Sequence, residues 1–193
     1  AERLFDPFTG PLSTRFAATF VLMAGVGVTL LTRRIAPGDV GEMRWRLVRR
    51  GLALYVLGQL LDVIWPGTII LYYGVMFVLA AVLFTLRTSV VIAIGVAAMA
   101  AGWGIEVWAY RQVEAGESVA WLTSPSQNSI RRFVFEVMVN GTHPLLPWLA
   151  FFCAGIVLGR LLGHRDLRLW CGGLGLVLFA TATLVSSTAT TEF

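Results

Sequence analysis

Charged residues are scarce in this sequence, and lysine is missing from it altogether. Of the 193 residues, 13% are charged and 57% are hydrophobic, and the mean hydropathy is +0.77. A soluble domain carries about 25% charged residues, so this chain lacks the polar groups to cover a water-facing surface. The composition therefore excludes an ordinary soluble domain and predicts an integral membrane protein.

Cysteine and histidine are also rare, with two residues of each. Cys153 and Cys171 both lie in apolar runs, where a free cysteine behaves as a small hydrophobic residue. Their spacing predicts neither a disulfide framework nor a metal site. The net charge of +4 comes with fifteen arginines that punctuate the apolar runs, so no nucleic-acid partner is expected.

Six apolar segments come close to the roughly 20 residues that a spanning helix needs. The sequence therefore predicts an all-α, polytopic integral membrane bundle of about six transmembrane helices. The bundle is expected to form a single domain over residues 1–193, with the lipid bilayer as its partner. The segments are about Phe16–Leu31, Leu47–Trp65, Ile69–Leu86, Val90–Tyr110, Leu145–Leu162 and Leu167–Ser187.

The arginines are distributed unevenly over the connections between these segments. Arginine-rich loops stay on the cytoplasmic side of a membrane, so the side that holds more of them is expected to be cytoplasmic and both ends of the chain to face outward. Ten of the fifteen fall on that side, namely Arg33, Arg34, Arg44, Arg46, Arg49, Arg50, Arg87, Arg160, Arg165 and Arg168.

Glycine and proline mark the turns and the close helix contacts. The sequence WPGT at Trp65–Thr68 predicts a tight turn, so the second and third helices should form a hairpin. The long connection Arg111–His143 contains apolar residues at helical spacing in Ile130–Met138, which predicts a short amphipathic helix at the outer interface. The GxxxG pattern at 155–159, and more loosely GVG at 25–27, predicts close helix approach.

Asp62 is a first candidate for catalysis. It follows Gln59 by three positions, so both lie on one helix face, and Tyr72 and Tyr73 begin the returning helix. Ionisable groups at membrane depth are functional candidates by default. The alternative is a hydrogen-bond network that fixes helix packing, and Glu106 in the fourth segment is open to the same two interpretations.

Four arginines are candidates for binding a cofactor or cosubstrate: Arg44, Arg46, Arg49 and Arg50. They lie at the expected start of the second helix, and helix N-termini favour anions. Arginine forks also bind phosphate bidentately. The alternative is that the cluster is the positive-inside signal and contacts anionic lipid head groups.

His143 is the second candidate for catalysis. It lies before Pro144 in the outer turn NGTHPLLPW. An imidazole there can act as a general base near neutral pH or carry an acyl group itself. The alternative is a loop histidine that forms hydrogen bonds within the turn.

Three stretches together resemble a known family: STRFAATFVLMAGVGVTLLTRR, then RRGLALYVLGQLLDVIWPGTIILYYGVMFVLAAVLF, then HPLLPWLAFFCAGIVLGR. They are similar to the heparan-α-glucosaminide N-acetyltransferase-like family of bacterial transmembrane acyltransferases, over about residues 13–162. The resemblance implies a helical bundle in a bacterial plasma membrane. It also implies that an acyl group passes from cytoplasmic acyl-CoA or acetyl-CoA to an acceptor on the outer side. The arginine cluster would then lie near the CoA phosphates, and Asp62, Tyr72 and Tyr73 would line the interior.

The family's catalytic histidine has no counterpart in residues 1–15, and His143 does not match its position. We therefore expect either that the catalytic stretch precedes Ala1 or that the chain lacks catalytic machinery. The first alternative is an acyltransferase. The second is a non-catalytic descendant that serves as a structural subunit of a larger membrane complex or of a homo-oligomer. A small transporter is a third alternative, supported by the outer polar groups alone.

Overall fold

A computed structural model of the chain describes residues 13–64, 69–119, 136–140 and 144–164, with residues 166, 167, 169, 171–173, 175–177, 180 and 181. Every regular element within these residues is helical, which confirms the all-α prediction. The chain divides into two compact units, Ala1–Gly159 and Arg160–Phe193. In the second unit the described residues from 167 to 181 are all helical, as predicted for the sixth segment.

The first unit contains five long helices, the last of which ends two residues inside the second unit. A 3₁₀ turn, Pro37–Asp39, joins the first two helices, and a π-helical turn covers Glu136–Asn140. That π turn contains the described end of the predicted amphipathic helix, the rest of which lies outside the described residues. The long helices are α1 Ser13–Thr32, α2 Val40–Ile64, α3 Ile70–Leu83, α4 Thr88–Glu114 and α5 Leu145–Leu161.

Four of the five helices begin and end within a few residues of the predicted bounds, but the predicted start of α2 is wrong. The sequence suggested a start near Leu47, whereas α2 begins at Val40. The charged residues in this stretch suggested a loop. They instead lie on the exposed side of a helix, where Glu42 pairs with Arg46 one turn later, a spacing that favours a helix.

Helices α1 and α5 pack backbone against backbone. A Cβ atom added to Gly25 would overlap the carbonyl oxygen of Phe152, and one added to Gly155 would overlap that of Leu22. The hydroxyl of Thr29 donates to the carbonyl oxygen of Ile156 at 2.9 Å. The prediction of close approach at 155–159 is therefore confirmed, and the order of the contacts makes α1 and α5 parallel.

Helices α2 and α3 form the predicted antiparallel hairpin. Gly51 and Gly74 face each other, because a Cβ at Gly51 would lie 2.6 Å from the carbonyl oxygen of Gly74. Nearer the other end, a Cβ at Gly58 would lie 2.6 Å from the Cα of Leu71. The predicted turn Trp65–Thr68 lies outside the described residues.

Helix α4 packs against α5 through a single stripe of small residues. Its buried positions are Val91, Gly95, Ala98 and Gly102, spaced at three and four residues. A Cβ at Gly95 would lie 3.0 Å from the Cβ of Cys153, and one at Gly102 would lie 3.0 Å from Pro147. The two helices therefore run antiparallel, so α4 also runs antiparallel to α1.

One helix in the described part of the chain, α4, is long and apolar enough to cross a membrane. Three shorter stretches are also apolar: Ala17–Thr32, Ile70–Leu83 and Leu145–Leu161. Large apolar side chains are widely exposed, among them Val63 at 84% and Trp103 at 69%. Apolar exposure on this scale is typical of a surface that contacts lipid or another protein.

Candidate functional site

A cavity of about 410 Å³ lies between the last turn of α1 and the first half of α2. Its walls combine apolar side chains with guanidinium groups. This mixture suits a ligand that has both an anionic part and an apolar part. The lining residues are Leu31, Met43, Arg46, Leu47, Arg49, Arg50 and Ala53.

Arg49 and Arg50 are the cationic groups of this cavity that remain open to a ligand. Both are exposed, and neither has a hydrogen-bond or ion-pair partner within the described residues. Each guanidinium can therefore give its donor fork to phosphate or carboxylate oxygens. The structure brings together two of the four predicted binding residues with their donors unused.

Arg46 also lines the cavity, but its guanidinium already has a partner. Its Nε donates to Oε1 of Glu42 at 3.0 Å, and its Nη2 donates to the same oxygen. Glu42 does not line the cavity itself. This pair was not among the sequence-based predictions, although the spacing of four residues on one helix was a readable signal.

Arg44 is separated from the other three arginines. Its Nη2 donates to the hydroxyl of Thr85 at 3.1 Å, just beyond the end of α3. Thr85 in turn donates to the carbonyl oxygen of Val82 at 2.9 Å. Arg44 is not among the residues that line the cavity, so its contact joins the start of α2 to the end of α3.

The predicted attraction of a helix N-terminus for an anion does not apply to Arg49 and Arg50. Because α2 begins at Val40, Arg49 and Arg50 lie well inside the helix rather than at its N-terminus. Backbone N–H groups at that depth are bonded within the helix and cannot receive an anion. The attraction for an anion comes from the guanidinium groups around the cavity.

Asp62 lies near the far end of α2 and is half-buried. At about 1.5 Å per residue, it is about 18 Å along the helix axis from Arg50. The neighbouring Gln59 donates from its amide to the phenol oxygen of Tyr55 at 2.9 Å. The arginine cavity and the polar groups near Asp62 are thus two separate places on one helix.

The other polar candidates are spread more widely. Tyr72 is buried and Tyr73 half-buried at the start of α3, whereas Glu106 is exposed on α4. His143 lies outside the described residues, so its predicted role stays a prediction. Within the described ranges, no group of three or more histidine, cysteine or acidic residues is arranged to hold a metal ion.

Comparison with known proteins gives one match. The sequence model of a family described as heparan-alpha-glucosaminide N-acetyltransferase, catalytic, matches residues 2–174. This range contains all five long helices and every residue of the cavity. Neither the curated proteins nor the solved structures give a match.

Proposed function

Because the chain belongs to the heparan-alpha-glucosaminide N-acetyltransferase catalytic family, we propose that it is a membrane-embedded acyltransferase that uses acyl-CoA. The cavity beside Arg49 and Arg50 would bind the donor from the cytoplasmic side. The acceptor would be modified on the outer side. The observation that carries the proposal is the position of two guanidinium groups, without partners in the described part of the chain, on a partly apolar cavity in a chain of this family.

The chemistry of the cavity fits one part of such a donor. Acyl-CoA carries phosphate groups at one end and a thioester at the other. Arg49 and Arg50 can each donate to phosphate oxygens, and charge-assisted hydrogen bonds of this kind are about twice as strong as neutral ones. Leu31 and Met43 offer apolar contact to the uncharged parts of the ligand. Acetyl-CoA is the donor that the family description favours.

The transfer itself needs a base and a place for the acceptor. The acceptor's nitrogen or oxygen attacks the thioester carbonyl, the carbon–sulfur bond breaks, and coenzyme A leaves as a thiolate. The acceptor loses a proton in this step, and the thiolate gains one. Asp62 and His143 are our candidates for handling that proton on the outer side. The phosphates of the donor and the carboxylate of Asp62 would then lie at opposite ends of α2.

The same charge pattern supports an orientation in the membrane. Arg33, Arg34 and Arg87 follow or precede helices at the end where the cavity lies, and Arg44, Arg46, Arg49 and Arg50 lie in the first half of α2. The positive-inside rule assigns this end to the cytoplasm. We therefore propose a multi-pass protein of the bacterial plasma membrane.

A cysteine at position 39 tests this orientation. Asp39 is exposed in the 3₁₀ turn between α1 and α2. Asp39→Cys should react with an impermeant maleimide after lysis and not in intact cells. Cys171→Ser serves as the background, because Cys171 is exposed and Cys153 is buried. Labelling of intact cells would reverse the assignment of the two sides.

The donor site is tested by removing its two unpaired guanidinium groups. Arg49→Ala with Arg50→Ala should weaken acetyl-CoA binding in detergent by about tenfold or more, because two charge-assisted contacts are lost. Isothermal titration calorimetry measures the affinity. Arg33→Ala with Arg34→Ala is the matched control, since these two exposed neighbours remove the same charge without lining the cavity. Equal losses of affinity in both double variants would mean that net charge, and not contact in the cavity, causes the loss.

A structural subunit is the second candidate function, and helix α4 favours it. Only one stripe of α4 is buried, and its other sides expose Val96, Met99 and Trp103. A further membrane subunit or a second copy of the chain would find a wide apolar surface there. If the unmutated protein binds no acyl-CoA, this alternative replaces the first.

A further inference from the structure

We propose that Glu42 is a specificity-determining residue of the arginine cavity, because its carboxylate occupies Arg46 and limits the negative charge that the cavity accepts. This inference rests on the proposed donor site and adds a residue that lies outside the cavity wall. It concerns binding, and it assigns Glu42 no part in the transfer step.

The ion pair with Glu42 occupies one edge of the Arg46 guanidinium group. Arg46 uses both Nε and Nη2 on a single oxygen of Glu42, Oε1. These two nitrogens form one of the two edges through which a guanidinium group can bind a phosphate in a two-point contact. A ligand phosphate must therefore displace Glu42 before it can make that contact with Arg46 through this edge.

Glu42 also lowers the net positive charge around the cavity. Arg46, Arg49 and Arg50 bring three positive charges to its wall, and Glu42 cancels one of them. The cavity therefore presents about two positive charges, which match a ligand that brings about two negative charges to this place. Asp39 is also acidic and exposed near the start of α2, but no ion pair joins it to Arg46 in the described chain.

The exposure of the pair sets the size of the effect. The side chains of Arg46 and Glu42 are 55% and 60% exposed, so solvent screens their attraction. Pairs of this kind contribute little to stability, and Glu42 can be replaced without loss of the fold. Releasing Arg46 should still strengthen anion binding by about two- to fivefold, which is the range found for exposed charge pairs.

The experiment compares Glu42→Gln with Asp39→Asn. Both variants remove one negative charge from the same end of the protein, and only the first one removes the charged partner of Arg46. Calorimetry with acetyl-CoA should show a two- to fivefold gain, of the size expected for an exposed pair, for Glu42→Gln and no comparable gain for Asp39→Asn. Affinity should also fall more steeply with salt in Glu42→Gln, since one more guanidinium then contacts the anion. Equal gains in both variants would overturn the proposal.

A double-mutant cycle tests whether Glu42 acts through Arg46. The gain from Glu42→Gln should vanish in an Arg46→Ala background, where no guanidinium remains to be released. A gain that persists in this background would mean that Glu42 acts on the ligand directly, which contradicts the inference.

Inorganic pyrophosphate serves as a second probe and separates the test of the proposed function from the test of Glu42. If the protein binds pyrophosphate but not acetyl-CoA, the proposed function fails, while the Glu42 effect is still measured with pyrophosphate. If acetyl-CoA binds equally to the unmutated protein and to Glu42→Gln, the inference fails and the donor site stands. If no variant binds either anion, both are overturned.

Discussion

Helix α1 has two sides that are built in opposite ways. At Gly25 and Thr29 it lies against α5 with backbone touching backbone. At Leu31, in its last turn, it borders an open cavity whose opposite wall carries Arg49 and Arg50, which have no partner among the described residues. Small residues and a buried hydroxyl make the first side a permanent contact. Long charged side chains make the second side one that can accept a ligand.

The side of α1 that contacts α5 contributes to stability, and the side that borders the cavity contributes to binding. Contacts between backbones cannot adjust to an added atom without moving a whole helix. Exposed arginines on flexible stems can be replaced at little cost to the fold. Substitutions on the α5 side should therefore unfold the protein, whereas substitutions at the cavity should change affinity and leave the stability nearly intact.

The largest effect is expected at Gly25. A Cβ there would overlap the carbonyl oxygen of Phe152 and lie 2.8 Å from the backbone nitrogen of Ile156. Gly25→Leu should therefore force α1 and α5 apart and destabilise the protein by about 3 kcal/mol or more. The midpoint of thermal unfolding in detergent measures the change.

The control for this substitution lies two residues further along the same helix. Gly27 is exposed, and no atom among the described residues lies within 4 Å of a Cβ added there. Gly27→Leu should leave the thermal midpoint unchanged or raise it slightly, since leucine favours a helix more than glycine does. A comparable loss at both positions would mean that the α1–α5 contact does not hold the bundle together.

The contact side of α1 could be predicted from the sequence, because it depends on spacing along one helix. The GxxxG pattern at 155–159 and the glycines at 25 and 27 pointed to close packing, although the pattern did not show which of the two glycines faces α5. The hairpin of α2 and α3 followed in the same way from the short WPGT turn. Local signals of this kind suffice when the partner surface is also small and apolar.

The cavity side could be predicted only in part. The sequence predicted one binding cluster of four arginines. It did not show that Arg44 donates to Thr85 while Arg49 and Arg50 line the cavity. That division depends on where α3 ends relative to the start of α2, which is a tertiary property. The start of α2 itself was missed because a charged, exposed helix face and a polar loop have similar composition.

The smallest effect is expected at Arg44, which sharpens the division among the arginines. Its guanidinium donates to Thr85 at an exposed site, at 3.1 Å, and it does not line the cavity. Arg44→Ala should lower stability by less than about 1 kcal/mol, as for other exposed polar contacts. Acetyl-CoA affinity should change by less than about twofold, because at physiological salt a charge outside the site is largely screened. Thr85→Val removes the same hydrogen bond without changing the charge, together with the bond from Thr85 to the carbonyl oxygen of Val82. It should therefore lower stability by at least as much as Arg44→Ala and leave the affinity alone. A loss of affinity in Arg44→Ala as large as that of the Arg49 and Arg50 double variant would return Arg44 to the donor site and show that the cavity extends toward the end of α3.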